Sequence, residues 1–68
     1  MENLMSFLGC LGFTEAQARI LAATRFGEDL LRRQSEEPES SFRAIAIAEY
    51  GDLRWFLDEA RLQLKAAS

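Results

Sequence analysis

A chain of 68 residues is one small domain, of a size at which a single hydrophobic core is marginal unless disulfides, a metal or oligomerisation adds burial. Cys10 is the only cysteine and histidine is absent, which excludes an internal disulfide, the mixed cysteine-histidine zinc sets and any Ser-His or Cys-His nucleophile pair. Eight basic residues against 11 acidic ones give a net charge of −3, interspersed along the chain, so no wide basic patch can neutralise phosphates; this argues against nucleic acid as a partner.

No catalytic residue, cofactor or metal is therefore expected, and the protein reads as a non-enzyme. No apolar run approaches the roughly 20 residues of a membrane span. Hydrophobic residues make up 49 % of the chain, generous for its length, so part of that apolar surface is expected to lie between chains, as a homodimer or against another protein.

Residues 1–13 hold Leu4, Met5, Phe7, Leu8, Leu11 and Phe13, at spacings of three and four that predict a short helix ended by Gly12. It is apolar nearly all round. It is either a lid across the hairpin's open side or an arm that binds a partner, through Phe7, Leu11 and Phe13, or a membrane surface. Cys10 is expected to be a small buried hydrophobe, since no basic residue stands near it to lower its pKa. Leu8-Gly9-Cys10 is similar to a bacterial lipoprotein cleavage box, but no Lys or Arg precedes this stretch, so a cytoplasmic setting is expected.

Two resemblances to families fall here, each over about a dozen residues. Leu11-Gly12-Phe13 between two helical stretches is similar to the Met-Gly-Phe loop of ubiquitin-associated domains, which would imply ubiquitin contact through Leu11 and Phe13; that family's compact third helix has no evident counterpart. Residues 11–21 resemble the first helix of some winged-helix regulators, although no strand or wing pattern follows.

Thr14 and Gln17 form a capping box that starts a helix expected over residues 14–36. Its inward stripe reads Ala16, Ile20, Ala23, Gly27 and Leu30, with Phe26 and Leu31 beside it, and its small residues permit close approach of another backbone. The polar stretch 34–41, with Pro38 disfavouring helix at Glu37, is the turn. Ser40 or Ser41 then caps a second helix running to 67. Ala46, Tyr50, Leu53, Leu57, Ala60, Leu64 and Ala67 form its main stripe, widened by Phe42, Ile45 and Phe56. Ala48, Trp55, Leu62 and Ala66 form a thinner stripe on the opposite side.

The predicted fold is all-α: an antiparallel helical hairpin with a short N-terminal helix, associating into a dimeric helix bundle. With the turn near Pro38, residue i faces roughly residue 77 − i, which sets Ile20 opposite Leu57 and lays Phe26 over Gly51 and Tyr50 over Gly27. Glu49, on the apolar flank, requires a cationic partner, for which Arg25 is the natural candidate.

Trp55 carries the functional expectation, the alternative being that the N-terminal segment or a second copy of the chain covers it. It shares the outward stripe with Leu62, seven residues on, and Asp52, Asp58 and Glu59 border it with negative charge. Aromatic anchors rimmed by polar groups are typical of binding hot spots. The expected function is that of a small acidic regulatory or adaptor protein binding another protein. The alternatives are a phage- or plasmid-type inhibitor of a host protein and a DNA-binding regulator.

Overall fold

Each helix begins where a short polar side chain can satisfy otherwise unpaired N–H groups. In a computed structural model, which describes residues 3–67, this yields α1 (Leu4–Cys10), α2 (Glu15–Ala23), α3 (Arg25–Glu36), α4 (Phe42–Tyr50) and α5 (Leu53–Ala67), with no strand among the described residues. Asn3 accepts a hydrogen bond from Ser6 N at 2.8 Å. At α2 the Thr14–Gln17 box is complete, with Gln17 N donating to Thr14 Oγ1 at 3.1 Å and Thr14 N donating to Gln17 Oε1 at 2.9 Å. Ser41 Oγ accepts from Ala44 N at 3.1 Å. The capping sites at Thr14 and Ser41 and the reversal around Pro38 are where the sequence places them.

The two long helices expected over 14–36 and 41–67 are each broken. Thr24 has extended backbone, φ −84° and ψ 164°. Its hydroxyl donates to Leu21 O at 2.6 Å and accepts from Gly27 N at 3.3 Å, so it closes α2 and opens α3. The second break lies at Gly51, which ends α4 in the left-handed conformation at φ 83°, a region costly for residues with a Cβ. Asp52 restarts the chain: its Oδ1 accepts from Arg54 N at 2.8 Å and its carbonyl accepts from the amides of Trp55 and Phe56. Gly12, at φ 105°, follows Leu11, the residue that caps α1, and turns the chain away from the helix.

Helix α3 packs on α4, α2 on α5, and α1 lies across α2 and α4. The core is aromatic at its centre. Phe56 of α5 is fully buried, with ring centroids 5.7 Å from Phe7, 5.2 Å from Phe26 and 5.6 Å from Tyr50. Phe42 stacks on Phe7 at 5.9 Å. Leu4 and Leu8 of α1, Ala18 and Leu21 of α2, Leu30 of α3, Ile45 and Ala46 of α4 and Ala60 of α5 complete it. Four helices thus deliver rings to one place, where offset and tilted pairs add about 0.5–1.5 kcal/mol each beyond simple burial.

The break at Thr24 corrects the expected inward face of α2. Ala18 and Leu21 point inward, while Ala16, Ile20 and Ala23 are exposed. The expected stripe extrapolated the phase of Gly27 and Leu30 backwards across Thr24, whose extended backbone resets that phase. The stripe across Gly51 suffers less: Phe42, Ile45, Ala46, Phe56 and Ala60 are buried, and Tyr50, Leu53 and Leu64 pack against them. No helix among the described residues is long and apolar enough to cross a membrane.

Candidate functional site

Large apolar side chains are left uncovered at Ile20 of α2, Leu31 of α3 and Ile47 of α4, and most fully on the outer side of α5. A 15-residue helix turns 700° over seven residues at about 100° per residue, which returns Leu62 to within about 20° of Trp55. Trp55 is 57 % exposed and Leu62 60 % exposed. Ala48 and Ala66, assigned to the same stripe, are exposed as well. The Arg54 guanidinium sits 5.8 Å from the Trp55 ring centroid, close enough for a cation–π contact that steadies the ring while leaving it accessible. Asp58, one turn after Trp55, pairs with Arg61 at 3.4 Å. Trp55 and Leu62 therefore share one apolar face rimmed by charges of both signs.

The other expected contact residues are distributed elsewhere. Phe7 is 1 % exposed, in the core between Phe42 and Phe56, so it is not available to a partner. Leu11 and Phe13 are half-buried against the core and line a depression with Gln17, Arg61 and Leu64. Asp52 is engaged in starting α5. Glu59 turns away from the expected rim: it accepts from Gln63 Nε2 at 2.8 Å and lines a depression with Asp29, Glu49 and Tyr50. Cys10, expected inside, is exposed, because the inward side of α1 is taken by Leu4, Phe7 and Leu8.

Glu49 finds a cationic partner, but it is Arg33 rather than Arg25, at 3.2 Å from Nε to Oε2. Arg33 and Glu49 stand several residues off the expected pairing, while Phe26 and Tyr50 stand within one residue of it. The two breaks re-aim the helices, so Phe26 lies on Tyr50 at 6.1 Å and on Phe56 instead of over Gly51. Arg33 Nε also donates to Asp29 Oδ2 at 3.2 Å, and Arg32 bonds Asp29 from the next position. The Arg32 hydrogen bond holds the Asp29 carboxyl below the usual carboxylate range. Burial, followed by the Asp29 charge, pushes the Glu49 carboxyl above it, and burial pushes the Tyr50 hydroxyl up to about 12. Sequence alone singled out Glu49 by its apolar flank; Asp29 carried no such signal, since only the fold brings α3 alongside it.

A concavity of about 620 Å³ lies between α1 and α2, with Met5, Phe13 and Ala18 among its lining and Glu15 and Arg19 at its polar side. No group of three or more His, Cys, Asp or Glu side chains among the described residues is placed to hold a metal ion. Comparison with known proteins returns no matching family model, no matching curated protein and no matching solved structure.

Proposed function

We propose that this chain is a small non-catalytic regulatory or adaptor protein that works in the cytoplasm by protein–protein contact through the outer face of α5. The observation that carries the reading is the joint exposure of Trp55 and Leu62, 57 % and 60 %, on one face of a helix whose inner face is fully used by the core. Large apolar side chains clustered in this way are uncommon on monomers without a binding role, and tryptophan is the residue most enriched among binding hot spots.

In this reading α2–α3 and α4–α5 are the two arms of an antiparallel hairpin, each bent at its midpoint, and two copies associate as a dimer. The composition supports self-association, because a core of this size is marginal alone. The charge supports a protein partner over nucleic acid: at −3 the surface repels phosphate. A phage- or plasmid-type inhibitor of a host protein would use the same face in the same way.

The test compares wild type with Trp55→Ala and Leu62→Ala. Light scattering at micromolar concentration is expected to give the wild type a mass near twice 7.7 kDa. Affinity capture from the source cell's extract is expected to retain a protein that both variants lose. A folded wild-type monomer whose captured proteins are unchanged by either substitution contradicts the reading.

A further inference from the structure

Asp29 on α3 and Glu49 on α4 bring two carboxyl groups to one guanidinium. The Arg33 N–H at Nε donates to Asp29 Oδ2 at 3.2 Å, and the same Nε lies 3.2 Å from Glu49 Oε2. Both carboxyl groups therefore stand side by side against the same Nε. Their side chains are 30 % and 23 % accessible, enough shielding for their mutual repulsion to survive screening and enough access for solvent protons.

The surrounding charges give the two acids unequal positions. On α3, Arg32 bonds Asp29 and reaches Glu36 at 3.4 Å, and Arg25 lines the same depression. On α4, the Tyr50 hydroxyl stays protonated through the neutral range. From α5 comes Glu59, held by Gln63 at 2.8 Å. Helix α1, which also packs on α4, brings no acidic or basic side chain. Asp29 is thus favoured as the ionised member, and Glu49 is the one beside which another negative charge already stands.

We propose that Asp29, Arg33 and Glu49 form a proton-operated latch between α3 and α4. One proton taken from solvent by Glu49 turns an acceptor into a donor: its carboxyl O–H hydrogen-bonds the Asp29 carboxylate, the repulsion between the two acids disappears, and Arg33 remains paired with Asp29. Loss of that proton restores the repulsion and loosens the junction. Because Glu49 and Tyr50 form the last turn of α4, the latch acts next to the Gly51 corner from which α5 departs.

The sign follows from linkage. A folded-state pKa raised above its unfolded value contributes stability that is full below the ordinary glutamate value and is lost as pH rises through the folded value. The lowered Asp29 pKa acts oppositely: its contribution is present above the ordinary aspartate value and is lost as pH falls through the folded one. The junction is therefore tightest in mildly acidic solution and weaker at neutrality.

Carbon-detected NMR titration of the Glu49 and Asp29 carboxyls in the full chain tests the latch directly, together with thermal melts near pH 7 and pH 5 of wild type and Glu49→Gln, which mimics the protonated state. Glu49 is expected to titrate above the ordinary value of about 4.3 and Asp29 below about 3.9. The melting temperature of wild type should rise between about pH 7 and about pH 5, and in Glu49→Gln that rise should shrink at least about twofold. Titration of Glu49 at or below its ordinary value, or a Glu49→Gln rise as large as that of wild type, overturns the proposal. Should Glu49→Gln not fold, the wild-type titration decides alone.

Discussion

Gly27 and Leu21 meet across the break between α2 and α3: a methyl group at Gly27 would stand 2.2 Å from the Leu21 carbonyl oxygen and 2.7 Å from Ala22 Cα. This close approach is what allows two short helices, joined only through the extended Thr24, to pack against each other. The obstacle is backbone on both counts, which cannot swing aside as a side chain would.

Gly27→Ala should therefore destabilise the fold by about 1–3 kcal/mol, or more where the helices must separate, even though alanine is favoured over glycine in a helix interior by about 1 kcal/mol. Urea denaturation measures the balance. A midpoint that moves to higher urea would mean that the helices part without cost.

Gly51 answers to a different cause. Nothing lies within 4 Å of a Cβ built there, but its φ is 83°, so overpacking against Phe26 is not the expected penalty. Strain in the left-handed region, roughly 1–2 kcal/mol for a residue with a Cβ, should make Gly51→Ala and Gly51→Leu about equally destabilising. Gly51→Asn should cost less, because asparagine tolerates this conformation. Denaturation of the three variants side by side separates strain from packing: a penalty that grows with side-chain size would contradict this account.

Phe56→Ala removes the ring on which Phe7, Phe26 and Tyr50 converge. Truncation of a fully buried phenylalanine costs about 3–5 kcal/mol, comparable with the whole stability of a domain this small at about 0.05–0.15 kcal/mol per residue. Circular dichroism should show the variant largely unfolded near room temperature. Retention of a cooperative melt within a few degrees of wild type would show that the cluster is not the centre of the core.

Trp55→Ala should leave helix content and unfolding free energy within about 0.5 kcal/mol of wild type, since the side chain lies outside the core, while association through the α5 face weakens by about 2 kcal/mol or more. Fluorescence offers a simpler first measurement on the only tryptophan. In dilute solution its emission should lie near that of the free amino acid and be quenched by iodide, with a blue shift appearing as concentration rises and the face becomes covered.

Local chemistry determined a good deal of this protein from sequence alone. The all-helical class, the caps at Thr14 and Ser41, the reversal near Pro38, the stop at Gly12, the inward positions of α4 and α5 other than the exposed Ala67, and the placing of Trp55 and Leu62 on one stripe each depend on hydrogen bonds or side-chain spacing within a few residues; that this stripe stays uncovered in the chain was decided by the tertiary structure. What spanned a longer stretch was decided by the tertiary structure. Thr24 carries no signal strong enough to break a helix, and does so because burying Leu21, Phe26 and Leu30 together requires a change of helical phase between them, which Gly27 permits by its lack of a side chain. Gly51 is compatible with a helix interior or with a left-handed stop, and the convergence of Tyr50 and Phe56 on one cluster selects the stop. The two bends also swung Glu59 toward Tyr50 and set Arg33, not Arg25, beside Glu49, because an error of phase at a break propagates to every contact beyond it; Phe7 and Cys10, which precede both bends, were placed by the packing of α1 across α2 and α4.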